Sequence, residues 1–335
     1  MEQNEKLSDL LQNEPSYRHD QIKKAIFQDL ISSWEEAMNL PLKLRQSLAK
    51  DFPLVDKGNI SIRKSSDTDT QKALITLNDG SKIETVLMMY GNERNTVCVS
   101  TQVGCAMGCE FCATGKLGLA RNLTDWEIVE QVLVFARLLK ESGQKVSNVV
   151  FMGMGEPFEN YDNVMSAVRI LNDPSKFGLG ARKISISTCG LVPEIIRFSE
   201  ENIQVNLAIS LHAANDELRR KLMPIAYRYD LTDLMNAIGT YIAKTNRKVM
   251  FEYILLQGIN DTQEHAKELV SLLKGKLCMV NLIDYNDTGD FKPVDKTVAT
   301  KFRQYLSKEG IEVTQRYRFG TDIKAACGQL AGSND

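Results

Sequence analysis

From about residue 95 to residue 308 the chain alternates short runs rich in β-branched and apolar residues with longer amphipathic stretches, and this alternation constrains the fold most. The runs at 96–100, 146–152, 183–187, 204–211, 248–255 and 278–283 read as strands. Between and after them lie stretches with helical spacing: one opening at Thr124, with Glu127 as its capping-box partner, then 163–171, 193–200, 231–244, 263–273 and 297–308. Parallel neighbouring strands need a crossover, so strand and helix in turn imply a parallel sheet with helices packed outside it. Six such repeats predict an α/β fold, an incomplete (β/α)6 parallel barrel. In such a barrel the groups that do chemistry sit at the C-terminal ends of the strands.

Four segments follow from this reading. Residues 1–55 form a helical accessory module, in which Leu7, Leu10 and Leu11, then Ile22, Ala25, Ile26 and Leu30, then Leu42, Leu44 and Leu48 mark three apolar faces. Tyr17, Arg18, His19, Lys23 and Lys24 offer this module a cationic edge for RNA, although the interspersed acids favour a solvated helix surface. Residues 56–92 have β character at 59–63, 72–77 and 82–89, the last two joined as a hairpin by Asn78-Asp79-Gly80-Ser81. On residue type alone Glu84 is an exposed strand carboxylate. Residues 93–315 are the barrel, and 316–335 a C-terminal tail. With 43% hydrophobic and 25% charged residues the composition is that of a globular protein, and a net charge of −2 gives no overall basic footprint. Nucleic-acid binding would then rest on local charge. The N-terminus has no signal-peptide apolar run and no stretch reaches the roughly 18 apolar residues of a membrane span. Seven cysteines in such a chain suggest a reducing cytoplasm and metal or catalytic use.

Three cysteines fall in one short glycine-rich loop, Gly104-Cys105-Ala-Met-Gly-Cys109-Glu-Phe-Cys112-Ala-Thr-Gly115, spaced C-x3-C-x2-C. Thiolates that close together read as ligands of an iron–sulfur cluster, with Cys105, Cys109 and Cys112 on three irons and the fourth iron left open for a small molecule. A zinc knuckle or three unconnected core cysteines are the alternatives. Further polar groups fall where the strands end. Phe151-Met-Gly-Met-Gly-Glu-Pro157 exposes backbone at Gly155 and brings in Glu156, although a plain strand-to-helix turn would use the same residues. Ser187, Ser210, Leu211, His212 and Asn286 follow at the third, fourth and sixth strand ends. His212 also reads as a satisfied loop histidine. Cys98 lies on the strand feeding the cysteine loop, and Cys327 lies between small residues in the tail; each is also readable as a small core residue.

The cysteine spacing, with an aromatic residue before the last cysteine, resembles the signature of the radical S-adenosylmethionine (radical SAM) superfamily. That resemblance implies a [4Fe-4S] cluster whose open iron binds S-adenosylmethionine and cleaves it to a 5′-deoxyadenosyl radical. Gly155 and Glu156 resemble the superfamily's GGE element, and Ser187, Ser210, Leu211, His212 and Asn286 become expected contacts of the cofactor. A closer resemblance, running nearly end to end, is to the RlmN/Cfr family of radical SAM RNA methyltransferases. It rests on Cys98, Phe111-Cys-Ala-Thr-Gly115, the segment 151–157, Leu207-Ala-Ile-Ser-Leu-His-Ala213 and Asp322-Ile-Lys-Ala-Ala-Cys-Gly-Gln-Leu330.

What this family resemblance implies is specific. Its members methylate an adenosine of 23S rRNA at the peptidyl transferase centre, RlmN at C2 and also on tRNA beside the anticodon, Cfr at C8 with antibiotic resistance as the result. Cys327 is expected to take a methyl group from one S-adenosylmethionine, a second molecule to supply the radical, and Cys98 to remove a proton and close a disulfide with Cys327. Two molecules of S-adenosylmethionine per turnover, a monomeric cytoplasmic enzyme and an electron donor such as flavodoxin or ferredoxin are part of the same expectation. Glu84 resembles a family carboxylate assigned as a proton acceptor. Arg316, Arg318 and Lys324, extended by Lys116, Arg121, Arg182 and Lys183, are the local cations that would meet RNA, against a reading as ordinary surface charge. Two departures stand out: Lys324 replaces a residue often acidic in the family, and Asp284-Tyr-Asn286 replaces a more proline-rich loop. Some stretches look Cfr-like, among them 13–17, 25–27 and Phe319; Phe251-Glu-Tyr253 and Ala208-Ile-Ser210 look RlmN-like. C2 methylation is expected, as the commoner activity.

Overall fold

A computed structural model describes residues 7, 9–12, 14–55, 57–66, 69–91, 94–316 and 319–332. Of the N-terminal leucines, Leu10 and Leu11 lie on a helical turn. It is followed by helices α1 (Ser16–Phe27) and α2 (Leu42–Asp51), with a 3-10 turn at Trp34–Glu36 between them. Ile22, Ala25 and Ile26 are buried as their spacing predicts. Leu30 is not helical: its φ is +53°, beyond the end of α1, where the chain reverses. This module docks on the helix that follows the cysteine loop. Phe52 and Trp126 rings meet at 4.7 Å, Phe27 meets Trp126 at 6.2 Å, and the Trp34 indole N–H donates to the Phe52 carbonyl at 2.8 Å.

The β region contains three strands, β1 (Ile60–Lys64), β2 (Thr70–Thr76) and β3 (Lys82–Tyr90), with β2 and β3 forming the expected hairpin. They do not stand apart from the barrel. β3 pairs antiparallel with β4 (Arg94–Val99), so the ribbon extends the main sheet. A small separate ribbon follows, β5 (Gln102–Cys105) against β6 (Gly118–Asn122), holding the cysteine loop between its arms. Nothing in its short, glycine-containing sequence signalled it.

Helix α3 (Asp125–Glu141) opens the alternating part. Its capping box is complete: Glu127 N–H donates to Thr124 Oγ1 at 3.2 Å, and Thr124 N–H to the Glu127 carboxylate at 2.8 Å. Acids in its first turn and Lys140 in its last match the helix dipole. There follow β7 (Asn148–Phe151), α4 (Tyr161–Asn172), β8 (Ile184–Thr188), α5 (Val192–Phe198) and β9 (Asn206–Ser210). Then come α6 (Asp216–Leu222), α7 (Leu231–Thr245), β10 (Val249–Leu255), α8 (Gln263–Leu273), β11 (Cys278–Asp284), α9 (Lys296–Lys308) and β12 (Val313–Arg316). Helix α6 and strand β12 were not expected from the sequence; α6 is seven residues of mostly charged chain.

Among the described residues the main sheet runs β1-β2-β3-β4-β7-β8-β9-β10-β11-β12. The six expected barrel strands, β4 and β7 to β11, pair parallel in sequence order, and β12 adds a further parallel strand. Its first and last strands do not pair, so the barrel stays open. Its strands are buried on both faces, Val149, Ile184, Leu207, Phe251 and Val280 on one and Val150, Ala208, Ile254 and Ile283 on the other, as a parallel sheet requires. Arg182 and Lys183 precede β8, at the strands' N-terminal end. They are therefore on the face opposite the strand ends, and do not extend a cationic patch to the barrel mouth.

Candidate active site

The C-terminal ends of the parallel strands open into one cavity, and nearly all the residues expected there line it. Cys105, Cys109 and Cys112 line it from the loop between β5 and β6. Gly155 and Glu156 line it after β7, Ser187 on β8, Ser210 at the end of β9, His212 just beyond, and Asn286 after β11. Cys98 of β4 and Cys327 of the tail complete the wall. Two expected residues lie elsewhere. Leu211 is fully buried, its backbone N–H donating to the Glu252 carbonyl at 3.0 Å; its side chain belongs to the core. Glu84 lies outside the lining, in the wall behind the tail, and is only 1% exposed, contrary to its reading as a surface carboxylate.

The cysteine loop suits a charged metal cluster. Burial pushes the Cys105 thiol up to about 12 and Cys109 well above its ordinary value, and Cys112 and Glu156 raise both further as negative neighbours. Such cysteines ionise only against a positive partner, which an iron–sulfur core supplies. Among the described residues no three His, Cys, Asp or Glu side chains converge on a single ion. Thiolates on three separate irons of a cubane need no convergence on a single ion. Loop packing is tight: Glu110 N–H donates to Leu222 O at 3.1 Å, tying the loop to the end of α6, and Ala113 N–H donates to Gly328 O at 2.7 Å, tying it to the tail.

The Gly-Glu pair after β7 has a structural explanation. Gly155 has φ +98°, and a Cβ there would lie 2.5 Å from Gln102 Cβ, so only glycine lets this turn lie against β5. Glu156 is buried, and both carboxylate oxygens accept backbone hydrogen bonds, Oε1 from Phe158 N at 3.0 Å and Oε2 from Cys189 N at 2.8 Å. Burial raises its pKa against those bonds. Gln102 Oε1 in turn accepts from Glu156 N at 2.8 Å. The turn is thus held from both sides by residues the sequence reading did not single out. Cys189 is buried and also borders the cavity.

His212 is a neutral donor. Its Nδ1 accepts from Ile254 N at 3.1 Å, which leaves the proton on Nε2. Desolvation, with Arg219 adding repulsion, pushes its pKa down to about 3. Its backbone is left-handed, φ +59°, and is fixed by Asn260 Nδ2 donating to its carbonyl at 2.9 Å. The ring meets Phe111 edge-on at 4.6 Å, joining the β9 end to the cysteine loop.

Arg219 is a buried cation that sequence reading missed. It is 1% exposed; Nη2 donates to Cys189 O at 2.7 Å, while Nε and Nη1 are buried without a protein hydrogen-bond partner. Its charge acts on Cys109, lowering that thiol's pKa against burial. An arginine three residues before the buried Leu222, on the inner face of α6, was the available signal.

The tail lies across the mouth. Ala325, Ala326 and Leu330 are buried and Cys327 is half-buried. Asn286 Nδ2 donates to Cys327 O at 3.2 Å and Thr114 Oγ1 to Leu330 O at 2.6 Å. Gly328 has φ +83° and a Cβ there would come within 3.1 Å of Phe111 O. Of the expected cations, Lys324 is exposed beside Cys327, Lys116 pairs with Asp290, and Arg121 is neutralised by Asp79 and by a bidentate contact with Glu127. Arg318 and the Arg316 side chain lie outside the described residues.

Comparison with known proteins agrees with this geometry. Residues 99–272 match the radical SAM superfamily model. A probable dual-specificity RNA methyltransferase RlmN of Dictyoglomus turgidum is 46% identical over 325 residues, 95% of this chain and 91% of that protein. A ribosomal RNA large subunit methyltransferase N of Nitrosopumilus maritimus is 47% identical over 322 residues, 94% and 92% of the two chains. The crystal structure of a radical SAM methyltransferase from Sphaerobacter thermophilus superposes with a TM-score of 0.92 at 46% identity, covering 98% of this chain and 97% of that one. With its cysteine loop, strand-end polar groups and tail cysteine in one cavity, the chain belongs to the RlmN/Cfr family of radical SAM RNA methyltransferases.

Proposed function

We propose that this protein methylates C2 of an adenosine in 23S rRNA, at the peptidyl transferase centre, and C2 of an adenosine beside the tRNA anticodon, through an S-methyl group carried on Cys327. The observation that carries the reading is that Cys98 and Cys327 line the same cavity as the three cysteines of the metal-binding loop. The similar proteins named as dual-specificity RNA methyltransferases support the choice of substrates.

The chemistry explains the cavity. Adenine C2 is an electron-poor carbon with no nucleophilic lone pair, so direct attack on a methylsulfonium fails and a radical route is needed. Bound at Cys105, Cys109 and Cys112, the [4Fe-4S] cluster and two molecules of S-adenosylmethionine per turnover supply the methyl group and the hydrogen-abstracting radical. Gly155, Glu156, Ser187, Ser210, His212 and Asn286 hold the cofactor at the strand ends. Cys327 Sγ accepts the methyl group and presents its carbon to the base. Cys98 then takes the proton from the substituted ring carbon, and its sulfur bonds to Cys327 Sγ as the Sγ–carbon bond breaks; the electron pair of that bond stays with the carbon, and a proton completes it as the methyl group of the freed RNA. An electron donor such as flavodoxin or ferredoxin supplies the reducing electrons. The enzyme works as a cytoplasmic monomer, its 1–55 module and Lys324 among its contacts with RNA. The target base must leave its stack to enter the cavity.

Nucleoside mass spectrometry after anaerobic incubation with unmodified 23S rRNA and tRNA tests this. Formation of 2-methyladenosine in both is the expected result. Formation of 8-methyladenosine in the rRNA would replace it with Cfr-type methylation, and neither product alongside 5′-deoxyadenosine would mean another substrate.

A further inference from the structure

The strand-end walls of the cavity account for most of the expected residues, and leave the buried charged pair Lys72 and Glu84 outside them. Lys72 and Glu84 sit on β2 and β3, 4% and 1% exposed, with Nζ 2.7 Å from Oε1. Their register places them on the sheet face that presents Cys98: Lys72 is opposite Val86 and Val86 opposite Cys98, with Glu84 two residues along β3. Each member also grips the tail. Lys72 Nζ donates to the Lys324 carbonyl at 3.3 Å, and Glu84 Oε2 accepts from Ala331 N at 2.7 Å and Gly332 N at 3.1 Å. These attachment points stand on either side of Cys327. A further bond at the same edge, Ser65 Oγ to Asp322 Oδ1 at 2.7 Å, continues the seam. Lys324, whose carbonyl Lys72 holds, has φ +50°, a conformation that a non-glycine residue keeps only when its surroundings fix it.

We propose that Lys72 and Glu84 are positioning residues that clamp the Cys327 segment at both ends over the cavity, with Glu84 acting as an acceptor for tail amides rather than for a substrate proton. This rests on Cys327 being the methyl carrier. Burying an ion pair is costly, and removing one partner leaves an uncompensated charge, so evenly burying both makes sense only where their remaining hydrogen-bonding capacity is used. Here it is used on the tail.

The test compares Glu84→Ala, Glu84→Gln and the double variant Lys72→Met/Glu84→Gln in the anaerobically reconstituted holoenzyme. Glutamine keeps an acceptor for the two tail amides but is no base at this pH, and the double variant avoids a lone buried charge if a single variant folds poorly. Two readouts are taken by peptide mass spectrometry: the rate at which iodoacetamide alkylates Cys327, and the methyl content of Cys327 after incubation with S-adenosylmethionine. Losing two amide bonds should make Glu84→Ala alkylate roughly 10- to 100-fold faster and methylate correspondingly more slowly. Glu84→Gln should stay within about tenfold of wild type in both and retain RNA methylation, and the double variant, which gives up only the Lys72 hold on the Lys324 carbonyl, should fall between it and Glu84→Ala. Unchanged alkylation and methylation of Cys327 in all three, with RNA methylation abolished in all three, would overturn the clamp in favour of proton transfer by Glu84. If wild-type Cys327 never carries a methyl group, the proposed function fails instead, and alkylation alone still decides the clamp.

Discussion

His212 shows how one residue can be tuned by where the chain puts it. Held neutral by burial, it offers Nε2–H to the cavity at any physiological pH, and its Nδ1 is committed to Ile254. Its pKa is lower folded than unfolded, so unfolding takes up a proton below about pH 6.5. The stability it contributes is therefore full above that pH and is lost as pH falls from about 6.5 toward 3. Between pH 7 and pH 5 this group should cost about 2 kcal/mol, read as the change in anaerobic urea unfolding free energy. His212→Asn keeps an acceptor for Ile254 and should flatten that slope; an unchanged slope in the variant would assign the acid sensitivity elsewhere. Glu84 marks the limit of reading residues singly. Its type and strand position say only that it is a strand carboxylate, and its true partners, Lys72 and the amides of Ala331 and Gly332, include groups 247 and 248 residues distant along the chain. No local pattern carries contacts that far.

Elements with a strong period were legible almost to the residue. Helix α8 and the capping box of α3 fall where apolar spacing and the Thr124, Glu127 pair put them, because both signals are local. Thr124→Ala should destabilise the protein by about 1 kcal/mol in thermal or urea unfolding, because the Glu127 N–H loses its Thr124 Oγ1 acceptor. What escaped the sequence was short or irregular. The ribbon of β5 and β6 has four and five residues, β6 is largely exposed, and α6 reads as a charged run, yet the ribbon frames the cysteine loop and α6 supplies Arg219. Leu30 kept the helical spacing but lies past the end of α1, in a left-handed turn that spacing does not reveal. The docking of the N-terminal module was equally hidden, since it depends on Phe52, Phe27 and Trp126 meeting from distant parts of the chain. Phe52→Ala should cost about 3 to 5 kcal/mol and expose the module to limited proteolysis before the barrel; simultaneous loss of both would mean that they unfold together.

At the scale of the molecule, the open barrel gathers the three loop cysteines, the strand-end polar groups and three further cysteines, Cys98, Cys189 and Cys327, into one cavity, and the β1–β3 ribbon extends the same sheet so that it can hold the tail over the mouth. The barrel was readable from alternation alone, and the cavity's contents from the rule that strand ends carry function. The clamp was not, because it joins segments at opposite ends of the sequence. The central claim, that Cys327 carries the methyl group to RNA and Cys98 resolves the product, is tested most directly with Cys98→Ala. Incubated anaerobically with S-adenosylmethionine labelled in its methyl group, a reductant and unmodified 23S rRNA, the variant should accumulate a covalent protein–RNA adduct, with the label bridging Cys327 and an adenosine. Recovery of free RNA only, while 5′-deoxyadenosine is still produced, would contradict it.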